Sequence, residues 1–247
     1  MGAPKQARSP EDWIGYWEQD TFWSGSRLWK IHADLFLRKA APILNLQSTD
    51  AVLDIGCGPG YLARRIAPRV ASVCAVDTSE RFVQMCRENC WEIPHVEAML
   101  LGRNYTDLSI FGRRFSLFLC ASVVQYYRDV AEVEALIRSA AAGALPGARM
   151  LIADLPLRRG SLLGRVWDGC GSLLIGIQEG YAPELFRSLW IPAEGRAFYG
   201  SFRKKVRELT FSIPELKELI QRMKLDAVII RRGLSLCANR PSLLIRF

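Results

Sequence analysis

Residues 51–62 read Ala-Val-Leu-Asp-Ile-Gly-Cys-Gly-Pro-Gly-Tyr-Leu, and this stretch decides the fold. Its first five residues, 51–55, form an apolar run that is typical of a buried strand. Three glycines follow at alternate positions, Gly56, Gly58 and Gly60. They predict a turn on which no side chain keeps a ligand away from the backbone. The dinucleotide-binding fingerprint places its third glycine three residues after the second, where this chain has Tyr61, so the spacing disfavours a bound pyrophosphate.

This run resembles motif I of the class I S-adenosylmethionine-dependent methyltransferases, and four later segments continue the likeness in the same order. Residues 72–77 resemble the second strand of that family, and residues 115–127 resemble its fourth strand with the loop beside the transferred methyl group. Residues 145–154 resemble the turn into the fifth strand. The tail, residues 208–247, resembles the terminal helix and antiparallel strand pair, so the likeness extends over most of the chain.

The expected architecture follows from this order of segments. Strand and helix signals alternate between residues 51 and 156, which predicts a parallel sheet covered by helices on both faces. The resemblance implies an α/β fold of the Rossmann-like, doubly wound kind, with a seven-stranded, mostly parallel sheet and an antiparallel last strand. We expect one methyltransferase domain over residues 1–247, made of an N-terminal helical cap (1–45), a cofactor-binding core (46–156), an inserted helical lid or acceptor segment (157–207) and a C-terminal helix and strand pair (208–247).

The resemblance implies S-adenosylmethionine as the cofactor, with S-adenosylhomocysteine as the product. Asp77 follows Gly56 by 21 residues, where a carboxylate of the family accepts hydrogen bonds from both ribose hydroxyls. The alternative is an acid that caps the next helix. Asp54 would supply negative charge near the cofactor's amino group. The full set of expected cofactor contacts is Asp54, Gly56, Cys57, Gly58, Gly60, Asp77, Thr78, Asn104, Tyr105 and Cys120, with Tyr16 and Trp23 from the N-terminal cap.

The adenine contact departs from the family pattern, which usually has an acid after the third strand. The candidates here are Glu97, Asn104 and Asp107. We prefer Asn104, because an amide oxygen can accept from the exocyclic amine as a carboxylate does. Tyr105 would lie beside it.

The loop after the fourth strand carries the candidates for positioning the methyl acceptor. Gln125 could orient a polar acceptor, and Tyr126 falls where many relatives carry a histidine; packing roles are the alternative for both. The chain has two histidines, His32 and His95, and neither falls in a motif, so a histidine base is disfavoured and each is expected to be a surface residue or a satisfied helix residue. Cys120 is expected to form a wall of the cofactor pocket, since the proline that precedes a nucleophilic cysteine in cytosine C5 methyltransferases is replaced by Leu119.

The composition of the chain restricts the expected cellular location and binding partners of the protein. The seven cysteines are an odd number without paired Cys-x-x-Cys motifs, which disfavours a disulfide framework or a metal site and favours a reducing, cytoplasmic location. The first ten residues lack an apolar core, so no secretory signal is predicted, and no window approaches the ~20 apolar residues of a membrane span. The net charge of +8 permits contacts with phosphate groups but does not select among them.

The insertion at residues 157–207 is both apolar and basic, and the functional hypotheses differ in which of these two properties they use. The leading hypothesis is methyl transfer to a small, largely apolar acceptor such as a lipid, quinone, polyketide or other secondary metabolite, with the insertion as a lid. The alternatives are an RNA or protein methyltransferase that docks through the basic residues, and a non-catalytic cofactor-binding module. Nucleic acid is disfavoured because the Asn/Asp-Pro-Pro-aromatic signature is missing. Peripheral membrane contact through residues 157–190 is a separate alternative to the lid.

Overall fold

The structure is a computed structural model that describes residues 10–19, 27–158, 208–237 and 239–247, with single positions 174, 177, 178, 180, 181 and 183. Its helices are α1 (Pro10–Gln19), α2 (Arg27–Leu44), α3 (Tyr61–Ile66), α4 (Glu80–Cys90), α5 (Val130–Ala142) and α6 (Ile213–Met223). Its strands are β1 (Ala51–Ile55), β2 (Ser72–Asp77), β3 (Val96–Leu100), β4 (Phe115–Ala121), β5 (Ala144–Ala153), β6 (Asp226–Ile230) and β7 (Ser242–Arg246).

The seven strands form one sheet in the order β3-β2-β1-β4-β5-β7-β6. Strands β1 to β5 pair in parallel, whereas β7 runs antiparallel to both β5 and β6. The predicted doubly wound, mostly parallel sheet with an antiparallel last strand is therefore confirmed. The chain reverses its direction of winding between β1 and β4, and open α/β sheets bind ligands outside the carboxyl ends of strands at such a switch point.

Alternation along β4 explains why both faces of the sheet are covered. Leu117 and Leu119 are fully buried on one face, in the cluster that α2, α3 and α4 complete. Phe118 and Cys120 are fully buried on the other face, against residues of α1, α5 and α6. Because successive strand residues point to opposite faces, a continuous apolar run such as residues 115–121 is what a doubly covered strand requires.

Side-chain caps fix where the helices around the site begin. Ser79 caps α4 by accepting from the Phe82 N–H at 3.2 Å, and Asp129 caps α5 by accepting from the Glu132 N–H at 3.1 Å. Helix α6 begins with a complete capping box of Ser212 and Glu215. This is the terminal helix expected within residues 208–247, and Ser212 and Lys224 are its two caps.

The ends of β5 and β6 show two local features of the sheet. The pairing of β5 with β4 passes from Ala144 directly to Arg149, so the residues between them, which include Gly147 with a φ of +74°, form an irregular entry to β5 where the resemblance implied a turn. Strand β6 ends at Ile230, after which the chain buries Leu234 and Ser235 completely.

The structure describes most of the N-terminal segment but only a few residues of the insertion. Helices α1 and α2 lie in the N-terminal segment, and α1 buries Trp13 and Tyr16. Trp23 lies outside the described residues, as does most of the predicted lid or membrane-contacting segment. In the parts of the chain that are described, no helix combines the length and apolar character needed to cross a membrane.

Candidate active site

A cavity of about 480 Å³ opens at the carboxyl ends of β1, β2 and β4, which is where the winding of the sheet reverses. Residues 54–59 line it from the glycine turn, and residues 121–123 line it from the end of β4. Helices α1 and α2 cover it with aromatic side chains. The cavity is within the range of small-molecule sites, which typically measure about 300–1,000 Å³.

The glycine turn has a left-handed backbone at each of its three glycines. Gly56, Gly58 and Gly60 have φ values of +71°, +52° and +80°, which L-residues with a side chain adopt at a cost. A Cβ at Gly56 would overlap Val123, one at Gly58 would lie 2.8 Å from the Trp29 ring, and one at Gly60 would overlap the sulfur of Cys86. Neighbouring protein groups thus occupy the space that the missing side chains leave, so the glycines serve close packing around the turn.

Asp77 ties the end of β2 to this turn. Its Oδ2 accepts from the Gly58 N–H at 2.9 Å, and its Oδ1 accepts from the Ser79 N–H at 3.0 Å. Burial raises the pKa of Asp77 to about 6 against the lowering effect of these backbone donors. Each carboxylate oxygen has a second lone pair, and Asp77 lines the cavity, so the group can hold the turn and still accept from a ligand.

Asp54 is a buried carboxyl with unsatisfied hydrogen-bonding capacity. It lines the cavity from β1, is 2% exposed, and its Oδ2 has no hydrogen-bond partner among the described residues. Burial, followed by the nearby charge of Asp77, raises the pKa of Asp54 to about 7. Such a group is costly unless a partner compensates it, and a ligand cation or N–H donor at the cavity wall would do so.

Aromatic rings form the wall opposite the carboxylates. Trp13 stacks on Tyr126 with ring centroids 5.8 Å apart and an interplanar angle of 28°. Trp17 packs on Trp29 and Phe82, each with centroids 5.6 Å apart. All five rings line the cavity, which therefore joins an acidic wall to a broad apolar surface suited to a flat ligand.

The structure brings most of the predicted site residues to this cavity. Those that line it are Asp54, Gly56, Cys57, Gly58, Asp77, Thr78, Tyr105 and Tyr126. Five others do not: Tyr16, Gly60, Asn104, Cys120 and Gln125.

Three of these five residues make contacts away from the cavity. Asn104 is exposed and accepts from the Thr106 hydroxyl at 3.4 Å. Cys120 packs fully buried between the sheet and α5, so the prediction of a pocket wall was wrong, and Ala121 lines the cavity instead. The Gln125 side chain accepts from Arg240, and its backbone carbonyl accepts from the Leu209 N–H at 2.8 Å. Gln125 thus fixes the loop, and its neighbour Tyr126 faces the cavity.

Sequence reasoning missed a polar group on the same cavity. His32, on α2, lines it and places Nε2 3.2 Å from Oδ2 of Asp154, which follows β5. Ser122, which also lines the cavity, donates its hydroxyl to the same carboxylate oxygen at 2.6 Å. A signal was available in the sequence, because Asp154 lies at the carboxyl end of an apolar run, as Asp54 and Asp77 do.

Comparisons with known proteins agree with this geometry. Residues 52–147 match the family model of the methyltransferase domain. The chain is 29% identical over 157 residues to a chondramide synthase of Chondromyces crocatus, which covers 61% of this chain and 4% of that protein. It is 28% identical over 109 residues to a ubiquinone biosynthesis O-methyltransferase of Coxiella burnetii, covering 42% of this chain and 43% of that one. The chain thus spans less than half the length of these curated relatives.

Solved structures match over more of the chain. A magnesium protoporphyrin IX methyltransferase of Synechocystis with bound S-adenosylhomocysteine has a TM-score of 0.56 at 16% identity, covering 96% of this chain and 93% of that one. The N-methyltransferase NodS of Bradyrhizobium japonicum has a TM-score of 0.54 at 14% identity, covering 97% and 98%. The fold is therefore that of the class I S-adenosylmethionine-dependent methyltransferases. The match to the methyltransferase domain model covers 96 of the 247 residues.

Proposed function

We propose that the chain binds S-adenosylmethionine in this cavity and transfers its methyl group to a small, largely apolar acceptor. The observation that carries the proposal is the pair of buried carboxyls, Asp54 and Asp77, on either side of the glycine turn. S-Adenosylmethionine carries an ammonium and a sulfonium at one end and a ribose diol at the other. A partnerless Asp54 oxygen fits the cationic end, and the remaining lone pairs of Asp77 fit the diol.

The cofactor supplies an activated methyl group on a sulfonium, so the protein's contribution is to bind, orient and exclude water. Asp77 fixes the turn through Gly58 and accepts from the ribose hydroxyls. Asp54 is neutral or ionised near pH 7 and becomes ionised when a cation lies beside it. The rings of Trp13, Trp29 and Tyr126 keep the cavity apolar around the reacting atoms.

The acceptor class rests on the aromatic wall and on the chemistry of relatives. A ubiquinone biosynthesis O-methyltransferase and a demethylmenaquinone methyltransferase are among the relatives by name, and both names imply planar, apolar quinone precursors. The aromatic rings around a cavity of about 480 Å³ suit a ligand of that shape. The basic insertion that favoured RNA or protein lies almost wholly outside the described residues. A cytoplasmic location and peripheral membrane contact stay predictions.

The experiment has two arms on the purified full chain. Isothermal titration with S-adenosylmethionine, S-adenosylhomocysteine and NADH tests the cofactor, and we expect binding of the first two only. Incubation with methyl-labelled cofactor and reduced quinones or phenols, followed by mass spectrometry, tests the acceptor. Binding of NADH alone would contradict the cofactor assignment. Transfer to RNA or protein but to no small molecule would contradict the acceptor class.

A further inference from the structure

A histidine that lines the cavity pairs with a buried carboxylate that follows β5. The His32 ring, whose side chain is 29% exposed, places Nε2 3.2 Å from Oδ2 of Asp154, whose side chain is fully buried. The partners come from distant elements, α2 and the residue after β5, so their meeting is a product of the fold rather than of local sequence. His95, the second histidine of the chain, lies elsewhere, with its ring Nε2 3.0 Å from the Ala67 carbonyl.

Asp154 is held in one orientation by three side chains. Ser122 donates to Oδ2 at 2.6 Å, Ser235 donates to Oδ1 at 2.7 Å, and His32 approaches Oδ2. Burial by itself would raise the pKa of Asp154, but the hydrogen bond and charge of His32 and the two serine hydroxyls bring the pKa below its ordinary value. The carboxylate is therefore ionised at neutral pH, although no solvent reaches it.

The backbone around this pair is in an unfavourable conformation. Ser122 and Asp154 end adjacent parallel strands, and each has a φ of +60°. Non-glycine residues in this region cost of order 1 kcal/mol or more, and such conformations persist where the surrounding structure holds them, often at functional sites. Both residues use the conformation to make the same hydrogen bond, since the Ser122 hydroxyl meets the Asp154 carboxylate.

We propose that His32 is the general base of the methyl transfer, that Asp154 is its positioning residue, and that the acceptor is a planar compound with a phenolic or enolic hydroxyl. The proposal rests on the proposed function. With Nε2–H donating to Asp154, the ring keeps its lone pair on Nδ1, and a ring that lines the cavity can accept a proton there.

The step balances without any further reagent. The acceptor oxygen attacks the methyl carbon, the new O–CH₃ bond forms as the S–CH₃ bond breaks, and the sulfonium becomes a neutral thioether. The hydroxyl proton passes to Nδ1 of His32, and the resulting imidazolium is stabilised by the Asp154 carboxylate until it releases the proton to water. A hydroxyl gains most from a base, because a neutral amine already offers a lone pair for the attack.

Other groups near the pair do not replace His32 in this role. Cys237 places its sulfur within 4.8 Å of the His32 and Asp154 side-chain ligand atoms, but burial and the Asp154 charge raise the pKa of its thiol to about 12. The Tyr105 hydroxyl, also on the cavity, donates to Glu132 at 2.7 Å. Asp54 and Asp77 belong to the glycine-turn side.

The test compares His32→Gln with His95→Gln in the full chain. We expect His32→Gln to lower kcat for 4-methylphenol and for a reduced quinone by about 100-fold or more, the usual range for loss of a general base. The loss should be much smaller for 4-nitrophenol, whose more acidic hydroxyl needs less help. The affinity for S-adenosylmethionine, measured by titration, should stay within about twofold. His95→Gln should change neither quantity.

A spectroscopic readout is independent of turnover. Because the chain has two histidines, nitrogen-15 labelling of His95→Gln leaves the His32 ring as the sole imidazole signal. We expect the Nε2–H tautomer. Asp154→Asn should preserve folding better than Asp154→Ala. It should lower kcat for 4-methylphenol with little change in KM or in the affinity for S-adenosylmethionine, and it should reduce the fraction of the Nε2–H tautomer, because an amide binds the Nε2 proton less strongly than a carboxylate does.

The outcomes separate this proposal from the one on which it rests. If the wild-type chain fails to bind S-adenosylmethionine, the proposed function is wrong and the proposal falls with it. If it binds the cofactor but methylates no hydroxyl probe, or if His32→Gln slows all acceptors equally or not at all, the base assignment alone is overturned. An Nδ1–H tautomer would overturn it too, as would loss of activity on addition of a chelator, which would assign these side chains to a metal.

Discussion

The backbone N–H of Gly58 donates to Oδ2 of Asp77 at 2.9 Å, and this hydrogen bond joins the turn after β1 to the end of β2. Two residues that are 19 positions apart thereby fix each other. The left-handed φ of +52° at Gly58 directs its N–H to the carboxylate, and the Trp29 ring closes over the same glycine. The acid that the sequence marked as a ligand contact is thus also part of the framework that shapes the ligand site.

Asp77→Ala should weaken binding of S-adenosylmethionine by about 1.5–3 kcal/mol, or roughly tenfold to 150-fold, because it removes charge-assisted hydrogen bonds. Isothermal titration measures the change. Asp226→Ala is a suitable control, since Asp226 is an exposed strand residue whose ion pair with Arg246 has an N···O distance of 3.5 Å. Unchanged affinity in Asp77→Ala would show that the carboxyl caps the turn without contacting the cofactor.

Gly60→Ala and Gly112→Ala separate backbone strain from steric overlap. Gly60 and Gly112 have φ values of +80° and +60°, but a Cβ at Gly112 meets nothing within 4 Å, whereas one at Gly60 overlaps the sulfur of Cys86. We expect Gly112→Ala to cost about 1–2 kcal/mol of unfolding free energy, from strain alone. Gly60→Ala should cost at least about 1 kcal/mol more, by urea unfolding. Equal losses would mean that α4 moves aside at no cost.

The stability of the ligand-free protein should fall as the pH rises from about 4 to about 7. The pKa of Asp54 is raised to about 7, and that of Asp77 to about 6, so the folded state binds more protons than the unfolded state in this window. Each such group lowers the free energy of unfolding by at most about 1.4 kcal/mol per pH unit. Asp54→Asn should flatten the curve between pH 6 and 7, where Asp77 contributes least. A curve of unchanged slope in that variant would contradict the Asp54 assignment.

The ion pair between Asp50 and Arg149 should contribute strongly to stability. Its side chains are 4% and 16% exposed with an N···O distance of 2.6 Å, and Ser116 adds a hydroxyl to Asp50 at 2.7 Å. Arg149→Met leaves a buried carboxylate without its cation and should cost about 3–5 kcal/mol in chemical unfolding.

Arg246→Met is the matched control for that measurement. Arg246 pairs in register with Arg149 across β5 and β7, but its own ion pair with Asp226 is mostly exposed. Exposed pairs contribute about 0–1 kcal/mol, so the two substitutions should differ by at least about 2 kcal/mol. Similar losses would show that the arginine stems, and not the buried charge, provide the stability.

The sequence predicted the sheet well because its strands are local apolar runs between turn residues. Residues 51–55, 72–77 and 115–121 are each mostly apolar, and most of their residues are buried. The glycine turn followed from the spacing of its residues, whereas the role of Asp77 and the terminal helix and strand pair followed from the family resemblance.

The remaining parts of the site depend on contacts between distant segments. His32 and Asp154 are more than a hundred residues apart in the sequence. The spacing of apolar residues along α2 does not distinguish that histidine from the other polar residues of the helix. Gln125 is polar, as a residue that contacts the methyl acceptor would be. Its side chain is instead hydrogen-bonded to Arg240, which lies near the C-terminal end of the sequence. Successive residues of β4 point to opposite faces of the sheet, so only one of the neighbours Cys120 and Ala121 can face the cavity. An error of one residue in the predicted register of the strand selects the wrong one.

The reversal of winding between β1 and β4 separates the residues of the site into two groups that can change independently during evolution. The glycine turn, Asp54 and Asp77 come from β1 and β2, whereas Ser122 and Asp154 come from β4 and β5. The two halves meet along the seam between β1 and β4 and at a few side-chain contacts, such as the Asp50–Arg149 ion pair. A lineage can therefore inherit the first half nearly unchanged while it explores new chemistry with the second, and chimeras joined at that seam are the laboratory counterpart of this history.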